Sequence, residues 1–305
     1  ILKHASICAA SSALMADVLH EAGVGEDVYI NAYINSDQVA KLLENKAIRG
    51  VSLTGSEAAG AAVGAEAAKN LKKSVLELGG SDPFVVLDTD DMARTVKVAS
   101  RARLSNTGQA CNSPKRFIVL DEFYDDFVAG LVDAFKSAKV GDPTDPATQV
   151  GPLSSESARD TVAEQIDKAV QQGATLHTGG TPIGDSGAYL EPAVLTDITP
   201  EADAYSEEIF GPVAMVYKAS SIDDAVRVAN DVQFGLSGSV WSTDIEKAQQ
   251  VADRLDVGMA YINEHGTTLP GLPFGGVKRS GYGRELGRWG MGEFVNTRLR
   301  RTSEK

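Results

Sequence analysis

The sequence predicts an α/β protein made of doubly wound parallel sheets in two domains, followed by a short tail. Three observations lead to this prediction. Short β-branched runs alternate with helical ones, the same alternation returns after Gly79-Gly80, and a glycine-containing turn lies between an early strand and an alanine-rich helix. Strands that alternate with helices are typical of parallel sheets covered by helices. We place the domain bounds at residues 1–78, 79–278 and 279–305.

The first region is predicted to alternate strands and helices up to Gly79-Gly80, which we interpret as the hinge between the domains. The chain opens at Ile1-Leu2-Lys3 in what reads as the last part of a strand. We therefore expect a further segment upstream, and little activity from residues 1–305 without it. The pattern predicts helices over 11–22, 38–45 and 56–70, and extended segments over 28–33, 51–54 and 75–78.

The second region repeats the alternation, and the tail is predicted to finish in an extended run over 293–296. A Gly141-Asp142-Pro143 turn separates two helices in its middle. The predicted strands are 84–87, 117–120 and several in the stretch that ends at Ala219. The predicted helices are 91–104, 123–137, 155–172, 222–230 and 245–255.

Bulk composition limits the classes of function. The chain has 305 residues, 43% of them hydrophobic, which is enough for a large core. A net charge of -13 with scattered Lys and Arg argues against nucleic acid or an anionic membrane as partner. With only Cys8 and Cys111 a disulfide framework is excluded, so we expect a reducing compartment, the cytoplasm. No transmembrane run, signal peptide or metal site is predicted.

Four motifs carry the functional prediction. Cys111 ends the stretch Asn106-Thr107-Gly108-Gln109-Ala110-Cys111, and Glu77-Leu78-Gly79-Gly80 precedes it. Glu207-Glu208-Ile209-Phe210-Gly211-Pro212 and Pro273-Phe274-Gly275-Gly276 follow it. Together these motifs resemble those of the aldehyde dehydrogenase superfamily over the whole chain. The resemblance implies the later part of a dinucleotide-binding domain in residues 1–78, a catalytic domain in 79–278, and a tail that joins a homodimer or homotetramer.

The resemblance assigns Cys111 as the nucleophile and Glu77 as the base. A thiolate can add to an aldehyde carbon, which makes that carbon a hydride donor and leaves a thioester for water to hydrolyse. Gly108 and Gln109 suit a tight loop over a helix start, where backbone N–H groups would face the thiol. Glu77 ends a strand beside Leu76 and Leu78, so burial could raise its pKa into a range suited to base catalysis.

The turn Thr54-Gly55-Ser56 is predicted to hold the pyrophosphate of the cofactor. Gly55 permits the sharp turn, and Ser56 with the first N–H groups of the next helix can bind an anion. By resemblance, Glu208 and Phe210 hold the nicotinamide ribose and ring, and Leu78 and Gly79 border the same site.

The adenosine end of the cofactor site leaves the choice between NADP and NAD open. Lys3 matches the family lysine at the adenosine ribose, and Ser6 stands where NAD-preferring members often carry Glu. A hydroxyl beside a lysine tolerates a 2′-phosphate. The alternative is that Ser6 caps the helix that follows.

The substrate is predicted to be a small aldehyde, and the pattern is similar to a bacterial subgroup of NAD(P)-dependent succinate-semialdehyde dehydrogenases. Better-known members carry an Arg where this chain has Ser105, so Arg103 is the first candidate for the substrate carboxylate. Arg101, Lys278 and Arg279 are the alternatives, and His265 is predicted to line the substrate funnel. A broad-specificity aldehyde dehydrogenase, a non-catalytic member of the fold and a thiol hydrolase are the competing functions.

Overall fold

The computed structural model describes residues 1–184 and 186–303. By compactness the chain divides into two units. The first comprises Ile1–Ser52 and Ala61–Ser74, and the second comprises Leu53–Gly60 and Val75–Lys305. Gly79 and Gly80 therefore lie inside the second unit, where both are buried. The predicted domain bounds at residues 78 and 278 stay predictions.

The first unit contains the two helices that the sequence predicts near its start. Helix α1 spans Ala9–Glu21, and helix α2 spans Ser36–Glu44. Asn35 begins α2 with a capping box, in which its side chain accepts from the Gln38 N–H at 3.0 Å. The extended segment predicted over 28–33 is wrong as a strand in the part of the chain that the structure describes, where Asn31 makes an isolated bridge to Leu2.

Three further elements follow close to their predicted bounds. They are strand β1 (Gly50–Thr54), helix α3 (Glu57–Lys69) and strand β2 (Lys73–Glu77). β2 ends at Glu77, so the predicted base occupies the carboxyl end of a strand. The alanine-rich sequence of α3 suits a helix because alanine loses no side-chain entropy there.

The second unit continues the alternation to residue 262. Its strands are β3 (Asp82–Val86), β4 (Pro114–Leu120), β5 (Thr175–Thr178), β6 (Ala193–Thr196), β7 (Val213–Ala219), β8 (Phe234–Gly235), β9 (Ser237–Trp241) and β10 (Met259–Ile262). Its helices are α4 (Met92–Leu104), α5 (Asp121–Ser137), α6 (Glu156–Gln171), the short α7 (Asp203–Ser206), α8 (Ile222–Asn230) and α9 (Ile245–Ala252). The predicted helix 245–255 thus ends three residues early.

A seven-stranded sheet organises this unit, with the strand order β10-β9-β3-β4-β7-β6-β5. All of its neighbouring pairs are parallel except β5 with β6 at one edge. Side chains of one strand alternate between two cores. Val85 belongs to the core under α6, α8 and α9, whereas Phe84 and Val86 belong to the core under α4 and α5. Helices on both faces of a parallel sheet confirm the predicted α/β architecture.

The last part of the chain folds back toward Glu77. Strand β11 (Val277–Lys278) pairs with β8, and strand β12 (Gly281–Tyr282) pairs antiparallel with β2, which places Gly281 opposite Glu77. Helix α10 spans Gly287–Glu293. The predicted extended run over 293–296 is wrong at its start, because Glu293 ends this helix and Phe294 has the non-extended angles φ −114° and ψ 16°. Among the described residues, no helix combines the length and the apolarity needed to cross a bilayer.

Candidate active site

Cys111 lies in a turn between α4 and β4, not over a helix start as predicted, since the segment after it enters strand β4 at Pro114. The loop before it takes left-handed backbone angles at Asn106 (φ 51°), Thr107 (φ 58°) and Gly108 (φ 72°). A Cβ at Gly108 would lie 2.2 Å from the carbonyl oxygen of Gly211. Glycine is therefore required in this motif because two backbones meet at this point.

Asn106 and Gln109 stabilise the loop by hydrogen bonds to each other and to the segment that contains Ser154. The Asn106 side chain donates to the Gln109 carbonyl at 3.0 Å, and the Gln109 N–H donates to the Asn106 carbonyl at 3.0 Å. The Gln109 side-chain oxygen accepts from the Ser154 N–H at 2.8 Å. The two amide residues of the motif thus fix the shape of the loop that carries the thiol.

Arg103 is wrong as a substrate ligand. It is completely buried, and its guanidinium donates to the carbonyl oxygens of Val213 at 2.6 Å, Ile209 at 2.8 Å and Gly108 at 3.3 Å. It also donates to the carbonyl oxygen of Gly211 and to the Ser113 hydroxyl. These carbonyls hold the guanidinium away from solvent, so a substrate carboxylate cannot reach it. Arg103 instead ties the Cys111 loop to the segment that contains Glu208.

Glu77 is 2% exposed, and neither carboxylate oxygen has a hydrogen-bond partner among the described residues. Burial and, to a smaller extent, the charge of Glu285 raise its pKa to about 8 against the opposing charge of Arg284. Space for the side chain depends on Gly275, where a Cβ would lie 2.6 Å from one Glu77 oxygen. The fourth motif thus makes room for the carboxyl group of the second.

The glycine pair of Glu77-Leu78-Gly79-Gly80 brings three motifs into contact. A Cβ at Gly80 would lie 2.6 Å from the Cys111 carbonyl oxygen, and one at Gly79 would lie 2.4 Å from a Glu208 carboxylate oxygen. The Gly80 N–H donates to the other Glu208 oxygen at 3.0 Å. Only residues without side chains allow the thiol loop and Glu208 to approach this closely.

Buried charges surround Cys111. Burial raises the pKa of the thiol, Lys115 lowers it, and Asp82 and Glu208 raise it again. Burial also raises the pKa of Asp82 to about 7, and Asp82 accepts from the Ser237 N–H at 3.1 Å. The thiol in this structure is therefore a weaker acid than a free cysteine, and its ionisation depends on the balance of these neighbours.

The predicted pyrophosphate turn is exposed at Gly55 and Ser56 and lies at the start of α3. The Gly55 N–H bonds the Glu77 carbonyl at 3.0 Å, and the Ser56 hydroxyl accepts from the Ala59 N–H at 3.3 Å. Gly60 permits close packing, since a Cβ there would lie 2.4 Å from Leu78. The open helix start fits an anionic cofactor, because its backbone N–H groups favour negative charge. Phe210 is 42% exposed, which leaves its ring accessible to a ligand.

Lys3 and Ser6 belong to the first unit, and both side chains are exposed. Ser6 begins a short 3-10 helix (Ser6–Cys8) whose N-cap residue is Ala5, and α1 follows with Cys8 as its N-cap. Neither helix start has a side-chain capping bond. The alternative role of Ser6 as a helix cap is therefore wrong.

His265 lies in a loop that packs against the residue after the nucleophile. The Asn112 side chain donates to the Gly266 carbonyl at 2.8 Å. Burial lowers the pKa of His265, the charge of Glu264 raises it, and that of Arg101 lowers it. Arg101 is exposed and thus, unlike Arg103, remains accessible to a ligand.

The sequence patterns assigned no site role to Asp82, Lys115 or Asn112. The available signal was charge in apolar strands, since Asp82 starts β3 and Lys115 starts β4 with Pro114. Charged residues are almost never fully buried unless they are paired. Within residues 1–184 and 186–303, no three His, Cys, Asp or Glu side chains are grouped as metal ligands.

The folded site and the sequence agree on the family. The family model described as "Aldehyde dehydrogenase family" matches residues 1–299, and the chain belongs to that family. The fold is similar to a crystal structure of succinic semialdehyde dehydrogenase from Streptococcus pyogenes in complex with NADP+, with a TM-score of 0.97 and 46% identity over 99% of this chain and 67% of that one. It is also similar to an NAD-dependent aldehyde dehydrogenase from Sinorhizobium meliloti, with a TM-score of 0.92 and 34% identity over 99% of this chain and 62% of that one.

Curated relatives carry a more specific name. The chain is 49% identical over 299 residues to a succinate-semialdehyde dehydrogenase [NADP(+)] of Deinococcus radiodurans, which covers 98% of this chain and 63% of that protein. It is 46% identical over 298 residues to the protein of the same name from Mycobacterium avium, with coverage of 98% and 63%. The chain thus spans a little under two thirds of the length of these relatives.

Proposed function

We propose that the protein oxidises succinate semialdehyde to the dicarboxylic acid with NADP. The observation that carries this proposal is the contact of three motifs at Gly79 and Gly80, which brings the Cys111 main chain and the Glu208 carboxylate against the strand end that bears Glu77. The identity of 43 to 49% with relatives named succinate-semialdehyde dehydrogenase [NADP(+)] supports the substrate and the cofactor.

In this proposal Cys111 is the nucleophile. Its thiolate adds to the aldehyde carbon and forms a thiohemiacetal, whose alkoxide can then expel hydride. Since burial raises the pKa of the thiol, its proton must pass to solvent before the thiolate adds to the aldehyde. A nicotinamide held at Glu208 and Phe210 would accept this hydride, which would leave a thioester on Cys111.

Glu77 is the proposed base for hydrolysis of that thioester. A carboxyl group with a pKa of about 8 is close to ideal for taking a proton from water near neutral pH. Its two oxygens have no partner among the described residues, so both are available to a water molecule. The water attacks the thioester carbon, Glu77 takes its proton, and Cys111 leaves as the thiolate.

Four pairs of residues are proposed to bind the cofactor. Gly55 and Ser56 hold the pyrophosphate at the start of α3, where backbone N–H groups face an anion. Glu208 and Phe210 take the nicotinamide ribose and ring, with Leu78 and Gly79 beside them. On the sequence match alone, Lys3 and Ser6 contact the adenosine ribose, where a hydroxyl accommodates a 2′-phosphate.

Arg101 replaces Arg103 as the proposed ligand of the substrate carboxylate. It is exposed, and its charge acts on His265, which we propose lines the substrate funnel. The Asn112 bond to Gly266 holds this loop next to the nucleophile. A carboxylate three carbon–carbon bonds from the aldehyde carbon can therefore be recognised by a guanidinium whose charge acts on His265.

The test is an assay of reduced nicotinamide formation with succinate semialdehyde and with butanal, which lacks the carboxylate, using the protein at its natural length. We expect kcat/KM to favour succinate semialdehyde, and Arg101→Met to remove most of that preference while leaving butanal turnover nearly unchanged. Cys111→Ala should abolish both activities and keep NADP binding, because the thiol forms the adduct and contributes little to the dinucleotide site. Equal kcat/KM values for the two aldehydes would favour the broad-specificity alternative.

We further propose a cytoplasmic homodimer or homotetramer. Cys8 and Cys111 are both free, which suits a reducing compartment. The tail exposes large apolar side chains that could pack against a second copy of the chain.

A further inference from the structure

Lys115 is a fully buried lysine whose ammonium group lies among oxygen atoms of the site. Its Nζ donates to the carbonyl oxygens of Cys111 at 2.9 Å, Ala110 at 3.1 Å and Ser113 at 3.3 Å. The same Nζ lies 3.1 Å from Glu208 Oε1. One ammonium therefore contacts both the main chain of the nucleophile and the carboxylate of the neighbouring motif.

Arg116, the next residue, shows what a purely structural buried cation does in this strand. Its guanidinium donates to the carbonyls of Val228 at 2.7 Å and Ala229 at 3.2 Å, near the end of α8. It also stacks over Tyr205 and Tyr217. Adjacent residues of a strand point to opposite faces, so Arg116 serves the packing of one face while Lys115 faces the site.

Burying an ammonium is unfavourable unless charges and hydrogen bonds compensate for the lost hydration. Burial lowers the pKa of Lys115, and the charges of Glu208 and Asp82 raise it again. A methionine of similar length would fill this space without that cost, but it would leave three carbonyl oxygens and the Glu208 carboxylate without this donor. The charge of Lys115 therefore needs a role that an apolar side chain could not perform.

We propose that Lys115 is a positioning residue that couples Cys111 to Glu208, because its ammonium group fixes the backbone of the nucleophile and one carboxylate oxygen at the same time. This inference rests on the proposed function for the roles of the two residues it joins. The ammonium also adds positive charge beside the thiol, whereas Asp82 on β3 and Glu208 add negative charge. Removal of Lys115 and removal of Glu208 should consequently affect the thiol in opposite directions.

The test measures the pH dependence of Cys111 alkylation by iodoacetamide, without aldehyde or cofactor, in a Cys8→Ser background. We expect Lys115→Met to raise the pH midpoint of alkylation by about one unit, because a positive charge near the thiolate is lost. Glu208→Gln should lower the midpoint, because a negative charge is lost. Lys139→Met, at an exposed lysine paired with Asp145, is the control and should leave the midpoint unchanged.

Two further measurements separate positioning from general damage. Lys115→Met should also weaken NADP binding, and the double variant with Glu208→Gln should lose less affinity than the sum of the two single losses, since both remove the same link. Unfolding temperatures identify a variant that fails to fold. If Lys115→Met does not fold, the inference is decided by the shift of the alkylation midpoint in Glu208→Gln. An unchanged midpoint in folded Lys115→Met, or shifts of the same sign in both variants, would overturn the inference. These outcomes do not depend on turnover of any aldehyde.

Discussion

Glu77 and Cys111 are both acids whose ionised form performs the proposed chemistry, and burial raises the pKa of each. At neutral pH Glu77 is therefore mostly protonated, and its basic form increases as pH rises through about 8. Hydrolysis of the thioester should follow this rise. A raised pKa in a cleft is a common property of catalytic groups, because the base must be matched to the working pH.

For Glu77→Gln we predict a burst of reduced cofactor followed by a steady rate lowered by about 10²- to 10⁴-fold, the usual contribution of general base catalysis. The amide cannot take a proton from water, so the rise in hydrolysis through pH 8 should disappear. Stopped-flow absorbance between pH 6 and pH 9 measures both phases. An equal loss of burst and steady rate would show that Glu77 acts before hydride transfer.

The same variant has an expected effect on stability. Between pH 4.5 and about 8 the folded protein keeps a proton on Glu77 that the unfolded chain has lost. The free energy of unfolding therefore decreases with rising pH across this window, and Glu77→Gln should remove that part of the decrease. Thermal unfolding at pH 5 and pH 8, compared between the two proteins, gives the difference.

Ser6 carries the prediction about cofactor choice. Ser6→Glu should shift preference from NADP toward NAD, because a carboxylate would repel the 2′-phosphate and bond the ribose hydroxyl. Titration with each cofactor measures the two dissociation constants. Ser6→Ala is the matched control and should change the ratio much less. If the unaltered protein does not bind NADP, another residue sets the choice.

At the scale of elements, Arg103 joins the end of helix α4 to the segment before β7. Its donors reach the carbonyl oxygens of Gly108 in one segment and of Ile209 and Gly211 in the other, at the point where the two backbones meet. The positive charge also suits the C-terminal turn of α4, where carbonyl groups point outward. The loop of Cys111 is thus held by a helix, a guanidinium and a glycine contact.

We predict that Arg103→Met lowers the free energy of unfolding by about 3 kcal/mol or more, because several buried carbonyls lose their donors together. Arg101→Met, two residues away and exposed, should change stability by less than about 0.5 kcal/mol. Urea unfolding of both variants gives the comparison. A mild effect of Arg103→Met on stability with a large rise in KM would return Arg103 to the substrate site.

At the scale of the molecule, the tail exposes apolar side chains that a separate monomer would leave in water. Met291 is 77%, Val295 is 65% and Leu299 is 89% exposed. Clusters of exposed apolar side chains on soluble proteins commonly mark interaction surfaces. Net charge alone, at -13, would keep copies apart, so association needs such a surface.

We predict that the chain of 32.1 kDa sediments as a dimer or tetramer. Val295→Asp with Leu299→Asp should shift it toward the monomer, since an interface does not tolerate buried unpaired carboxylates. Sedimentation velocity measures the change. Leu71→Asp, at a residue 95% exposed outside the tail, is the control and should leave the mass unchanged. A monomeric parent protein would contradict the proposed assembly.

The sequence by itself determined the family and most of the element order. Periodicity and turn residues located α8 at residues 222–230, and the four motifs predicted a nucleophile, a base and cofactor residues. Both signals are local, because helix periodicity and motif spacing are properties of neighbouring residues. The strand prediction for 28–33 was wrong for the same reason, because a strand also needs a pairing partner and a local pattern contains no information about that partner.

Only the tertiary structure decided which charged residues face the site. Arg103 bonds Val213, 110 residues further along the chain, and the Gly80 N–H bonds Glu208, 128 residues away. The contact of Lys115 with Glu208 depends on the same packing. Contacts over such separations depend on how the sheet and its loops pack, and burial then sets each pKa. No spacing rule encodes that burial. The sequence therefore predicted Arg103 as a substrate ligand, whereas in the fold it joins two backbone segments by hydrogen bonds.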